Sequence, residues 1–393
     1  MSNDSSPAFG EEIDSVDSRL DAPAVGPDAA SGDAKEGSGR AKGVRVAVAA
    51  AAVVAVAVGV STYIGTSDTS HSSSSAPAGA ATPAPSADYN IFVAAAGGGE
   101  VVELNSQTHA AVGKTIETDT AEGIALAPNG QTLYVADTGQ YGVLAVNLTT
   151  YQTTTIHVGA YPQDVAITPN GATVYATLTG GDTGVGGSSQ VAVIDTATNT
   201  VTGDINVGAS PRQILLSKDG SRAYVGTAQG VFVISTATNR VVGVVPTPSD
   251  TQGLALSPDG SKLYLTAPDE GQVWVVSTAR LNVLGRFSAG SEPWSVGVSP
   301  SGSTLYVADT NSNSVAVIDA RTGRITTNVT VGSLPTTVGV TPDGSQVWVG
   351  NTLTGSLSVI STATNTLVAT IPGGAGSSAL DSAPLDILFQ PAS

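Results

Sequence analysis

Seven aromatic residues occupy the same place in seven copies of one unit: Phe92, Tyr134, Tyr175, Tyr224, Tyr264, Tyr306 and Trp348. They recur at spacings of 42, 41, 49, 40, 42 and 42 residues, each inside a short apolar run such as "LYV", "VYA" or "IFV". A period near forty residues, built from short strands and Gly/Asp turns, is the signature of a β-propeller blade.

The unit at 291–332 resolves into four runs, Ser295–Ser299, Thr304–Ala308, Val315–Asp319 and Ile325–Val331. Their length and β-branched content suit strands. Between the first two runs lies "SPSG", matched elsewhere by "APNG", "TPNG", "SKDG", "SPDG" and "TPDG". Pro fixes φ, Asp or Asn bonds its own backbone, and Gly accepts positive φ, so each residue favours a tight turn. "DTATNT", "STATNR" and "DARTGR" mark a second turn between the third and fourth runs. The third run is apolar on both faces, as a strand buried between neighbouring blades requires. Glu103 breaks that rule, standing where other blades carry Val or Ala; it reads as a half-exposed or ion-paired strand residue, with a functional carboxylate as the alternative.

Residues 89–116 supply three strands of a blade and lack the first. "APLDILFQP" at Ala383–Pro391 matches the first strands "YPQDVAITP" and "LPTTVGVTP". The expected fold is therefore all-β, a seven-bladed propeller over 89–393 closed by the C-terminal strand. "LYVADTNSNSVAVIDARTGRI" and "QVAVIDTATNTV" resemble the YVTN-repeat family of seven-bladed propellers, related in fold to surface-layer-like and lactonase-like proteins. The resemblance covers about 89–393 and implies a fold; one such frame hosts binding, scaffolding and several chemistries.

Residues 1–43 are expected to form a disordered acidic tail in the cytoplasm, with no apolar periodicity to bury. Arg40, Lys42 and Arg45 precede the uncharged run Val46–Ile64. As a helix this run would be roughly 28 Å long, enough to cross a hydrocarbon core. The basic flank predicts a transmembrane signal anchor over 44–65, with the propeller outside a bacterial cell membrane. A cleaved signal peptide is the alternative, with Ala76-Pro77-Ala78 a poor cleavage site. Residues 66–88 read as a Ser/Pro/Ala-rich linker.

The net charge of −17 argues against nucleic acid or anionic lipid as a partner, since both need a basic footprint. Only three His are present and Cys is absent. Neither a His-based metal site, a Cys nucleophile nor a Gly-x-Ser-x-Gly elbow is indicated, and no cofactor is expected. "DTNSNS" at Asp309–Ser314 starts like a calcium loop but lacks its Gly and its final Glu. Specificity is expected where the blades differ, at the channel mouth. Aligning the starts of the inner strands gives one ring of Glu122, Gln163, Arg212, Gln252, Trp294, Thr336 and Leu385. A second ring holds Gly123, Asp164, Gln213, Gly253, Ser295, Thr337 and Asp386. Arg212 paired with Glu122 or Asp164 would leave the mouth merely solvated; otherwise these groups suit a small polar ligand. The Gly-rich stretch 179–190 is expected to form a flap over the same face, and 373–382 to give slack for closure.

The first functional expectation is an anchored extracytoplasmic module that binds or scaffolds a protein or cell-envelope component. The alternatives are a lactonase-like hydrolase using Glu122, Asp164 and Asp386, and a structural surface-layer component.

Overall fold

A computed structural model describes residues 87–180, 189–247, 250–373 and 383–392. The predicted tail, anchor, most of the linker, the core of the expected flap and the closure insertion lie outside the described residues. Among the described residues no helix is long and apolar enough to cross a membrane; the span expected over 44–65 is not among them.

The described residues form seven antiparallel sheets of four strands each. The innermost strands of blades 1 to 7 are Pro384–Pro391, Ala121–Leu126, Tyr161–Ile167, Ile214–Leu216, Leu254–Leu256, Pro293–Val298 and Pro335–Val340. Blade 1 takes its innermost strand from the C-terminal region, where Pro384–Pro391 pairs antiparallel with Tyr89–Ala95. That strand in turn packs against the innermost strands of blades 7 and 2, so the ring has no open seam.

Seven apolar clusters hold the ring, one at each seam between blades. The seven repeated aromatics are their largest shared feature, and none is more than 3% exposed. Each sits on the second strand of its blade and packs into the next blade. The contact often reaches that blade's outer turn: Tyr175 Oη donates to Asn239 Oδ1 at 2.7 Å, and the Trp348 indole meets His109 edge-on at 5.5 Å. Asn239 and His109 both have positive φ, the conformation that turns their side chains back over the ring. The repeat period therefore records a packing unit that spans two blades.

Blade 1 is the irregular one. Its outer strand is reduced to Ile116–Glu117. Half-buried Glu103 lies opposite Phe92, and its carboxylate occupies space beside Gly113. A Cβ on Gly113 would come within 2.5 Å of Glu103 Oε2, and Gly113 has φ +70°. The outer segment bends around the carboxylate, whose protonation burial favours.

Each innermost strand runs from the channel mouth toward the opposite face. The meander then places the second-to-third and blade-to-blade connections at the mouth, and the tight turns opposite. The propeller begins on a second strand and ends on a first, so both of its ends leave from the turn face. Ala87 N donates to Asp343 Oδ2 in a blade 7 turn at 2.9 Å, and Ala392 N donates to Asp88 O at 3.0 Å.

Candidate functional site

The inner strands bring both rings of sequence-selected residues to one funnel-shaped cavity of about 200 Å3. All fourteen positions line it: the eight candidate ligand contacts Glu122, Gln163, Asp164, Arg212, Gln252, Trp294, Thr336 and Asp386, together with Gly123, Gln213, Gly253, Ser295, Thr337 and Leu385.

The two rings do different work. Four residues of the inner ring fasten their blade to the next, each accepting the backbone N–H of the neighbouring inner strand. Asp386 Oδ2 accepts from Ile124 at 2.9 Å, Asp164 Oδ2 from Ile214 at 2.9 Å, Gln213 Oε1 from Leu254 at 2.5 Å, and Ser295 Oγ from Val338 at 3.3 Å. The two aspartates also hold their own following amides, Asp164 Oδ1 with Val165 and Asp386 Oδ1 with Ile387. Gly123 completes the arrangement, because a Cβ there would lie 2.2 Å from Asp164 Oδ1. The differences between blades in this ring thus include alternative ways to satisfy backbone donors that face a channel.

The outer ring is held through its backbone and leaves its side chains facing the cavity. Thr177 Oγ1 donates to Arg212 O at 2.7 Å and Thr266 Oγ1 to Trp294 O at 2.8 Å, in each case from the preceding blade. Trp294, Gln163, Gln252 and Leu385 are partly exposed there. The Thr336 hydroxyl bonds that of Thr352. Arg212 has a partner beyond those read from the sequence: its guanidinium faces Asp250, Nη2 to Oδ2 at 3.8 Å, while its charge also acts on Glu122, and Gln252 Nε2 donates to the same Asp250 oxygen at 2.6 Å. Asp250 was missed because it lies on the blade-to-blade loop, outside the strand alignment that selected the rings. Arg212 Nε and Asp250 Oδ1 are buried atoms without a hydrogen-bond partner among the described residues.

Three carboxyls from blades 1 to 3 share the other side of the funnel. Burial pushes Glu122 up to about 7, although Arg212 pulls it down. Asp386 is pushed up to about 6 by burial, against the lowering effect of its two amide bonds. Asp164 lies well above the usual carboxylate range, first through burial and then through the neighbouring Asp386. Glu122 accepts no hydrogen bond from the described residues, whereas every carboxylate oxygen of Asp164 and Asp386 accepts an amide. Glu122 is therefore the carboxylate free to meet a ligand. Among the described residues no group of three His, Cys, Asp or Glu is arranged to hold a metal ion.

Outside the funnel, Asp137 Oδ1 and Oδ2 accept the amides of Thr120 and Asp119, and Asp309 accepts those of Ser291 and Glu292. Asp309, the first residue of the calcium-like segment, thus has its carboxylate directed at a mouth loop. His109 and His157 are far apart in sheet position, on an outer turn of blade 1 and the outer strand of blade 2.

Fold and site define a closed seven-bladed propeller with an acidic, ligand-sized funnel on its loop face. The chain belongs to the choice-of-anchor I domain family, whose model matches residues 122–327, just over half of the sequence. Membership points to a cell-surface propeller. In fold it is similar to hydrazine synthase from Kuenenia stuttgartiensis, at 22% identity and a TM-score of 0.62, over 70% of this chain and 92% of the other. At that identity the likeness concerns architecture alone. A search of curated proteins found no match.

Proposed function

We propose that this protein is a membrane-anchored, extracytoplasmic propeller that binds a protein or cell-envelope component through its mouth face. The observation that carries the reading is the opposition of that face to both ends of the propeller. A tether through residues 44–65 and 66–88 would join the propeller where Tyr89–Ala95 begins, on the turn face, so that the connection itself does not enter at the funnel. Family membership supports the surface location, and the YVTN-like repeat supports a rigid display frame. The test is photo-crosslinking on whole cells from a probe at Leu353, which is 70% exposed on a mouth loop, against a probe at Lys218 on the turn face. Capture from Leu353 that weakens in Trp294→Ala supports the reading. Equal capture from both faces counts against it. Release of the protein into the medium when 44–65 is intact would remove the anchor.

A second reading, a lactonase-like hydrolase, is favoured by one observation. Glu122 is a poised, unbonded carboxyl near neutrality beside a cation, the setting of a general base. Lactone hydrolysis lost in Glu122→Gln and retained in Glu103→Gln would promote it; hydrolysis no faster than buffer would end it.

A further inference from the structure

We infer that the mouth face receives a basic polypeptide segment, one lysine or arginine side chain of which seats in the funnel between Glu122 and the Trp294 ring. This rests on the reading of the mouth as the binding face and names the chemistry of its partner.

The two faces differ in net charge. At the mouth, Arg212 is engaged by Asp250, and Arg286 on an outer strand stacks on Trp274 at 3.9 Å. On the opposite face Lys218, Lys262, Arg280, Arg321 and Arg324 are interleaved with Asp195, Asp219, Asp259, Asp319 and Asp343. Around the funnel the loops carry exposed Glu117, Asp119 and Asp269 and half-buried Glu292. An anionic partner would be repelled by this rim and a neutral one would leave it uncompensated. A basic segment meets opposite charge across the whole face.

Within the funnel, Asp386 and Glu122 both raise the cost of ionising Asp164. Each oxygen of the two aspartates already accepts a backbone amide. Glu122 alone has unbonded oxygens, and across the channel Trp294 presents a partly exposed aromatic ring. A carboxylate on one wall and an indole on another form a setting for an ammonium or guanidinium group with an alkyl stem. The cavity of about 200 Å3 is on the scale of a side chain rather than of a folded element.

The experiment is titration calorimetry of the full chain in detergent with hexalysine, hexaglutamate, a Gly/Ser hexapeptide and butylguanidinium chloride. Hexalysine alone is expected to bind strongly, with affinity falling as salt rises. Glu122→Gln and Trp294→Ala should each weaken it about tenfold, and Trp294→Phe should restore part of the loss. The double variant Glu117→Gln/Asp119→Asn should flatten the salt dependence while leaving Trp294 sensitivity intact. Circular dichroism melts identify any variant that fails to fold. Hexalysine binding that ignores Glu122 and Trp294 overturns the seated side chain, and absence of binding at low salt overturns the basic partner. Butylguanidinium binding as tightly as the peptide overturns the polypeptide. If hexalysine fails while Leu353 crosslinks remain sensitive to Trp294, the mouth stands as the binding face and only the cationic chemistry falls.

Discussion

At the residue scale, the aspartates of the inner ring are fasteners and Glu122 is the carboxyl without a hydrogen-bond donor among the described residues, and the two kinds respond differently to substitution. Asp386→Ala removes acceptors from Ile124 and Ile387. Leaving buried amides unpaired should cost about 1–3 kcal/mol, measurable as a lower denaturation midpoint. Gly123→Ala should also destabilise, by about 1–3 kcal/mol, because the new methyl overlaps the Asp164 carboxylate. Glu122 has the opposite sign. Its carboxyl is raised from 4.5 to about 7, so the fold favours the protonated form. The stability it contributes is present below about pH 4.5 and is lost as pH rises through 7. Glu122→Gln should therefore stabilise the protein by about 1–3 kcal/mol at pH 8 and change little at pH 4. Melts at the two pH values decide this; a variant less stable at pH 8 would mean that attraction to Arg212 outweighs burial. A cation bound beside Glu122 would restore an ordinary carboxylate, so binding near pH 7 should release protons, read from heats in buffers of different ionisation enthalpy. Asp164 and Asp386 line the same funnel and contribute to that count, and Arg212 with its partner Asp250 faces Glu122 as a fixed charge.

At the element scale, the closing strand and the tight turns carry the fold. Pro384–Pro391 pairs along the whole of Tyr89–Ala95 and covers the edges facing blades 7 and 2. Removing residues 383–393 should expose a sheet edge and apolar surface and abolish the cooperative melt; an unchanged melting curve would mean that six and three-quarter blades suffice. In the "SKDG" and "SPDG" turns, Asp219 and Asp259 accept from the Ser hydroxyls and amides around them and are held down to about 2. This contribution is present above the usual carboxylate range and disappears as pH falls toward 2, a trend opposite to that of Glu122. The turn chemistry and the strand lengths were legible in the sequence because they are local. Blade 6, read as Ser295–Ser299, Thr304–Ala308, Val315–Asp319 and Ile325–Val331, is observed as Pro293–Val298, Thr304–Asp309, Ser314–Asp319 and Ile325–Thr330. The shortened outer strand of blade 1 was not legible. Glu103 was visible as an anomaly, but the bend around it depends on where Gly113 passes.

At the scale of the whole propeller, the two faces differ in connection, charge and access. The turn face carries both propeller ends and most of its cations. The mouth face carries the funnel and an acidic rim. Because the chain has no native cysteine, Leu353→Cys and Lys218→Cys can be labelled cleanly. A partner bound at the mouth should protect the first from maleimide and leave the second reactive. Protection of Lys218→Cys alone would move the interface to the turn face.

The amino-acid sequence by itself determined the blade, its sevenfold repetition and the residues at the channel mouth. Each follows from short-range rules: strand alternation, turn residues, and an aromatic repeated at the period of the packing unit. Tertiary structure alone decided which mouth residues are bound to the frame and which are free. The sequence offered Glu122 or Asp164 as a partner for Arg212; the folded chain ion-pairs it with Asp250, on a loop outside the strand alignment, while its charge also acts on Glu122. It likewise gave Asp164 and Asp386 to the amides of neighbouring blades and left Glu122 open to the funnel. A repeat fixes what every blade shares, whereas the partner of a side chain depends on what the next blade brings within about 3 Å of it.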